Sequence, residues 1–503
     1  MSLPSIPNIP MENVVRVTPA LSGFQILRVS GTKHLILRAS GQKIASAILL
    51  GKVKEHTVGS DLANANVWLD VSKPKVILVF GRRGSGKSYD LGVLVEGLAS
   101  HQGKIKVGNH TPPVIIFDPL NQFWTLHEYA HGEDIEDNRQ IDLAHRWGLE
   151  LCPIDNVNIY VPRGTLRRHP ESIEFSIDVN AMDADDWCGF FKVDKYTEPI
   201  GQLLNSAFTK VVESGYRTAK GHVAPTANYT LSNLIDCIQN DEEINDPVEG
   251  FSTQTCRAVL SRLRELQRMP LFCGSGVNIR TLFVHGMVSV FMLREVDEST
   301  RSVVVGQIVK KILEARGAQW ENEEVAKRLI VRAKILKNKP AEAAVIEEKA
   351  RKLLEEAYKE GIPPGWVVLD EAHVLCPTEG VSASKRILIE YVKQGRAMGL
   401  SLAAATQQPS ALSNKLISQR DMILVHHLGI KSDMDAALSQ MNPNFPDAII
   451  EGRNEITTNI PYMLLNSLKS GEAILSTDET NRNFIITIRP RVTPHGGKEP
   501  VSM

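Results

Sequence analysis

Hydrophobic positions along this 503-residue chain change their period several times, and each change marks a new kind of element. Residues 14 to 56 alternate short apolar stretches (VVRV, FQILRV, HLILRA, SAILLG) with Gly and Ser turns, the pattern of a small β unit. From Ser60 the runs lengthen. Val76 to Phe80 and Val114 to Phe117, the latter ending in Asp118, are unbroken and rich in β-branched residues, as strands covered on both faces require. Leu91, Val93, Leu94, Val95 and Leu98 follow the first run at helical spacing. From Asp183 to about Leu271 the texture is helical, in IGQLLNSAFTKVVESG and TCRAVLSRLRELQRM, which predicts an insertion between core strands. Strand signals return in MVSVFMLREV. A helix is expected over Thr300 to Arg316, then a charged stretch from Glu321 to Glu360 that reads as two helices divided at Pro340. This stretch is either a protruding arm for a partner or a solvated helical hairpin. The predicted division is residues 1–59, 60–182, 183–284 and 285–503, with the second and fourth segments forming one α/β core.

Length fits this division, since one hydrophobic core seldom serves so many residues. With 43% hydrophobic residues and no apolar run near the ~18 that a membrane span needs, the chain is expected to have no membrane partner. The start MSLPSIPNIPMENVV lacks a basic flank and an apolar segment, so a cytoplasmic protein is expected. Cys152, Cys188, Cys237, Cys256, Cys273 and Cys376 contain no CxxC pair, which favours buried thiols over disulfides or a zinc site. A net charge of −1 requires any nucleic-acid contact to be local. Arg163, Arg167 and Arg168 in the turn RGTLRRH, and Lys385 and Arg386 in SASKR, are the candidates for phosphate contact, with plain solvation as the other reading.

The chemistry is concentrated at two strand ends. After VILVF come Gly81, Arg82, Arg83, Gly84, Ser85, Gly86, Lys87, Ser88 and Tyr89, which satisfy the P-loop pattern in the required strand, loop and helix context. Glycines let successive N–H groups curl around a phosphate; Lys87 neutralises the outer phosphates and Ser88 offers a hydroxyl to Mg²⁺. ATP and Mg²⁺ are the cofactors this predicts. Trp366 to Leu369 then form a buried strand tipped by Asp370 and Glu371, the first suited to hold the metal shell and the second to polarise an attacking water. The letters Asp370, Glu371, Ala372, His373 also spell a DEAH box, but they lie much further from the P-loop than in that helicase superfamily. A guanine-selecting Asn-Lys-x-Asp pattern is missing, since Asn414-Lys415 and Asn338-Lys339 continue differently.

The order and wording of six segments resemble the HerA branch of the HerA/FtsK ATPases. They are GKVKEHTVGSDLANANVWLDVSKPKVILVFGRRGSGKS, IIFDPLNQFW, FVHGMVSVFMLREVDESTRSVVVGQIVKKILEAR, VVLDEAHVL, GRAMGLSLAAATQQPSALSNKLISQ and GEAILSTDETNRNFIITIRPRVTPHGG. The resemblance implies a RecA-like core with a small N-terminal β-barrel, a helical insertion and a C-terminal brace. It also implies a homohexamer around double-stranded DNA, acting as a translocase or helicase beside a separate nuclease or other effector, in DNA end processing or antiphage defence. On this reading Lys87, Ser88, Asp370 and Glu371 match the nucleotide and metal residues, Gln407 the polar sensor, and Arg396 an arginine reaching the next subunit's ATP. Two departures stand out. Gln122 occupies a position where relatives tend to carry an acid, and Pro74, between Lys73 and Lys75, stands where relatives tend to carry an arginine, whose bidentate fork a lysine cannot reproduce. A nucleotide-gated scaffold for an effector enzyme is the competing function. No nuclease constellation is evident, Pro446-Asp447 reading as a helix start, so either version is expected to need another chain.

Overall fold

A computed structural model describes residues 24–29, 32–37, 46–54, 62–130, 135–166, 171–336, 338–443, 445, 460–478 and 482–496. The alternating N-terminal stretches become β1 (Phe24–Val29), β2 (Thr32–Leu37), β3 (Ala47–Val53) and β4 (Asn66–Asp70). β5 (Val76–Phe80) leads through the glycine-rich turn into α1 (Lys87–Ala99). There follow β6 (Lys106–Val107), β7 (Val114–Asp118), α2 (Ile135–Arg146), β8 (Val157–Pro162) and β9 (Ile173–Phe175). The helical region holds α3 (Ala184–Phe191), α4 (Pro199–Thr209), a hairpin of β10 (Tyr216–Thr218) and β11 (Gly221–Val223), α5 (Leu231–Asn240), α6 (Thr253–Arg268) and α7 (Ile279–Leu282). The core resumes with β12 (Val288–Met292), α8 (Glu298–Ile335), α9 (Pro340–Glu360), β13 (Trp366–Leu369), α10 (Ala372–Leu375), α11 (Lys385–Met398) and β14 (Ser401–Thr406). It ends with α12 (Asn414–Ile417), β15 (Met422–Val425), α13 (Lys431–Leu438), α14 (Ile460–Ser467), β16 (Glu472–Thr477) and β17 (Asn483–Ile488).

Among the described residues fifteen strands form one sheet, in the order β1-β2-β4-β3-β17-β16-β15-β5-β14-β13-β7-β12-β8-β9, with β6 on β3. From β15 to β9 every pairing is parallel. The unbroken apolar runs explain this, because helices cover both faces of a parallel sheet. Along β5, Val76, Leu78 and Phe80 join the hydrophobic cluster shared with α8, α11 and the helical region, while Ile77 and Val79 join the cluster around α1. β15, β16, β17 and β3 pair antiparallel in turn, so the N-terminal strands continue the main sheet.

Three expectations are corrected. A boundary at residue 59 cuts through a paired unit, since β4 lies between β2 and β3 and completes the N-terminal strands. The helix expected to end at Arg316 continues unbroken to Ile335, because Arg316 is buried there: its fork binds Glu323 at 2.9 and 3.1 Å and its Nε donates to Met398 O at 2.6 Å. Beyond it, α8 packs on α9 through the buried small residues Ala326, Ala333, Ala350 and Ala357, and Pro340 sits in the first turn of α9, where its missing N–H costs nothing. Cysteine burial holds for Cys188, Cys237, Cys256 and Cys376, but Cys273 is exposed and Cys152 half-buried.

The helical region starts at Asp183, which caps α3 in a reciprocal box with Asp186. It is built around Trp187, fully buried, whose indole N–H donates to the Tyr229 hydroxyl at 2.8 Å; that hydroxyl donates onward to Met182 O at 2.6 Å. Its apolar residues belong to the same cluster as one face of the sheet, so the insertion shares the core of the α/β unit. No helix among the described residues is long and apolar enough to cross a membrane.

Candidate nucleotide site

The carboxyl ends of parallel strands are where open α/β sheets place their ligands, and the predicted chemistry gathers there. At the tip of β5 the chain turns so tightly that a Cβ on Gly81 would lie 2.4 Å from Ser85 Oγ and 2.8 Å from His426 Cβ. Gly86, at φ 115°, adopts the left-handed conformation that opens α1. Ser85 Oγ and Lys87 Nζ both donate to the Arg82 carbonyl, at 2.8 and 3.0 Å, and Arg82 N–H donates to His427 O at 2.9 Å. Burial lowers the Lys87 pKa against the pull of Glu371, Asp370 and Asp90. Arg82 and Arg83 are exposed. Tyr89 points elsewhere: its hydroxyl accepts the Arg491 backbone N–H at 2.6 Å, and burial with neighbouring Glu96 pushes it up to about 12.

β14 stands between β5 and β13, so Gln407 emerges between the loop and the acids. Asp370 is buried; its Oδ2 accepts the Ser88 hydroxyl at 2.6 Å and its Oδ1 accepts Glu371 N–H at 2.9 Å. Burial raises the Asp370 pKa, with Ser88 opposing. Glu371 adopts φ 51°, a left-handed conformation that costs a non-glycine residue about 1–3 kcal/mol and turns its side chain toward β14. Gln407 Nε2 donates to Glu371 Oε1, while Glu371 Oε2 is buried with no hydrogen-bond partner. The donor set fits a magnesium nucleotide. Ser88 and Asp370, already in contact, are the residues that would hold a divalent ion, and Glu371 beside them supplies the carboxylate that a water would use.

Several contributors were not legible beforehand. Asp118 ends β7 beside β13 and is fully buried; its Oδ1 accepts Leu120 N–H at 3.2 Å, and its Oδ2 accepts Gln122 and Phe123 N–H at 2.6 and 2.8 Å. Burial, with neighbouring Asp370, pushes it up to about 7 against those bonds. The following Pro119 was the available turn signal. The turn so formed holds Gln122. Beneath the loop, buried His426 sits between Asp90 Oδ2 at 2.8 Å and Glu472 O at 2.9 Å.

Other candidates lie apart. Arg396 is exposed at the end of α11; its nearest acid is Asp421 at 3.6 Å, and Asp421 accepts the backbone N–H of Val76 at the start of β5. It therefore lies at the end of the sheet opposite its own phosphate loop. Arg163 donates to Cys273 O at 2.8 Å; Arg167, Arg168 and the Pro446-Asp447 pair lie outside the described residues. Lys385 donates to the carbonyls of Thr378 and Gly380, both at 3.1 Å, and Arg386 lies 3.4–3.7 Å from Asp183, Asp185 and Glu390. The SASKR segment is pinned by Ser382 and Ser384, whose hydroxyls lie 2.7 and 2.9 Å from Ser302 Oγ. Its two cations are thus engaged by the chain itself.

Loop, strand order and acids define a P-loop protein with a RecA-like core. The family model described as "Helicase HerA, central domain" matches residues 56–312, just over half of the 503 residues. The chain belongs to the HerA-like ATPases of the HerA/FtsK superfamily. The DNA double-strand break repair helicase HerA of Pyrococcus furiosus is 23% identical over 231 residues, covering 46% of this chain and 38% of that protein. Probable helicase MJ1565 of Methanocaldococcus jannaschii is 21% identical over 325 residues, covering 63% of this chain and 52% of that protein. The chain thus spans about half or less of these relatives' lengths. Among solved structures, VirB4 of Thermoanaerobacter pseudethanolicus aligns with a TM-score of 0.50 at 15% identity, covering 89% of this chain and 98% of its own, a likeness of fold.

Proposed function

We propose that the chain is an ATP-hydrolysing homohexameric motor on double-stranded DNA. The observation that carries its hydrolytic core is the junction of Ser88 with Asp370 and of Gln407 with Glu371 at the carboxyl ends of the central strands. Bound MgATP would supply the reacting phosphoryl group and a cation that spreads its charge. Lys87 would turn from the Arg82 carbonyl to the phosphates, Ser88 and Asp370 would hold the metal, and Glu371 would take the water's proton with Gln407 orienting beside it. Arg396, remote from its own loop, would complete the site of a neighbouring copy. The Pyrococcus relative's name, a DNA repair helicase, supports DNA as the substrate. A cytoplasmic setting goes with this reading.

Lys87→Ala is expected to abolish nucleotide binding or turnover without unfolding the chain. Glu371→Gln should bind ATP and lose about 10²-fold or more in turnover. Duplex DNA should stimulate wild-type hydrolysis, with binding that weakens steeply with salt, and replacing Arg163, Arg167 and Arg168 by Ala should reduce that stimulation. Wild-type turnover in Glu371→Gln would remove that residue from the mechanism. A second reading, a nucleotide-gated scaffold for a separate nuclease or antiphage effector, is favoured by the α8–α9 hairpin, whose far end exposes Val331, Ile335 and Val345. Hydrolysis indifferent to DNA but altered by the effector would establish it.

A further inference from the structure

The end of β14 approaches Glu371 by two routes. Gln407 holds Oε1 directly. The second route is indirect: Thr406 Oγ1, one residue earlier, lies 3.0 Å from His373 Nδ1, and that nitrogen lies 3.5 Å from Glu371 Oε2, the buried oxygen without a hydrogen-bond partner. Thr406 is itself fixed, being fully buried and accepting Gln408 N–H at 3.0 Å. His373 rides on the short helix α10, opened by Glu371 in its left-handed conformation, so the strained turn sets both side chains against one strand end.

We propose that His373 is a positioning residue for Glu371, taking its own orientation from Thr406. This rests on the hydrolytic reading above. In the tautomer with its proton on Nδ1, the ring can donate to either the Thr406 hydroxyl or Glu371 Oε2. While Gln407 is bound to Oε1, the carboxylate needs no other anchor, and the ring stays with Thr406. In the proposed cycle Gln407 releases Oε1, and that oxygen acts as the base. The carboxylate would then swing unless Oε2 gained a donor, and His373 is the donor in reach. The ring thus converts release of one oxygen into capture of the other, keeping the base aimed when it becomes available. Misplacement of a reacting group by about 1 Å costs on the order of 10²-fold in rate, so the anchor matters for turnover more than for binding.

The experiment measures ATP affinity, KM, kcat and melting temperature for wild type, His373→Ala, His373→Asn, Thr406→Val and the His373→Ala/Thr406→Val pair. His373→Ala should lower kcat by about 10- to 100-fold with KM and ATP affinity little changed. His373→Asn, whose amide nitrogen reaches the place of Nδ1, should recover most of that loss. Thr406→Val should lower kcat less, and the pair should be no worse than His373→Ala alone, as members of one chain of contacts behave. Unchanged kcat in His373→Ala, a loss confined to KM, no recovery with Asn in a folded protein, or fully additive losses would each overturn the proposal. If wild type binds ATP but never hydrolyses it, with or without duplex DNA, the hydrolytic reading fails by itself. The His373 contact is then judged from ring ¹⁵N shifts in nucleotide-free protein: a change on Thr406→Val upholds the Thr406–His373 link, and identical shifts overturn it.

Discussion

Asp118 shapes the site through the backbone of a neighbouring turn. Its two oxygens take three backbone N–H groups of the turn that carries Gln122, so the turn's conformation depends on these acceptors. Asp118→Asn replaces one acceptor oxygen with an NH₂ facing N–H groups, and should cost about 1–3 kcal/mol in unfolding free energy, read by denaturant titration. The pH dependence has a definite sign. Burial raises the Asp118 pKa to about 7, so between the ordinary aspartate range and about 7 the folded state keeps a proton that the unfolded chain releases. Stability contributed by this group therefore falls as pH rises through that window, and Asp118→Asn should remove that part of the slope. The P-loop residues and the acid pair were legible because each is a fixed word in a strand-to-turn context. Asp118 was visible only as the end of a strand, because its importance lies in three backbone donors that no side-chain pattern records. Gln122 was read as a missing metal carboxylate; the structure adds that its backbone, too, is held by the buried acid next to Asp370.

At the scale of elements, the P-loop helix is tied to the far end of the chain. Glu96, on α1, is fully buried between Arg489 at 2.8 Å and Arg491 at 3.1 Å, and it also accepts the backbone N–H groups of Val492 and Thr493. Arg489 reaches on to the carbonyls of Val93 and Leu49, bridging α1 and β3. Removing one partner of such a cluster leaves buried charge uncompensated, so Glu96→Gln should cost about 3–5 kcal/mol, measured as a lower unfolding midpoint. Burial opposes ionisation of Glu96, but the two guanidiniums and the hydrogen bonds prevail and hold its carboxyl below the usual range. The stability it gives is therefore present above the unfolded value and lost as pH falls through the folded one, and Glu96→Gln should blunt acid unfolding. Helix α1 was readable from its apolar spacing. Its clamp was not, since two arginines separated by one residue near the end of the sequence read as surface cations until a buried carboxylate is found between them. The N-terminal strands were likewise read as elements, yet their continuity with the main sheet depends on β17, more than four hundred residues later, which no local pattern encodes.

At the scale of the whole molecule the question is which nucleotide Arg396 serves. It precedes β14 at the sheet end where β5 begins, while the phosphate loop lies where β5 ends. A five-residue strand spans ~17 Å, more than an arginine side chain reaches from one end of the strands to the other, so the proposed role of Arg396 would require the ATP of another copy, as in a ring. Mixing Lys87→Ala subunits with Arg396→Ala subunits tests this directly. Each mutant alone should be inactive or nearly so. In a ring assembled at random from equal amounts, about a quarter of the interfaces pair an intact Lys87 on one side with an intact Arg396 on the other, and turnover should reappear at about that fraction of wild type. The mixture must be unfolded together and refolded, or held until subunits exchange, and its mass measured in parallel. Activity no higher than the sum of the separate mutants, in rings shown to be mixed, would remove Arg396 from the neighbouring site, and full activity in a stable monomer would remove the ring itself.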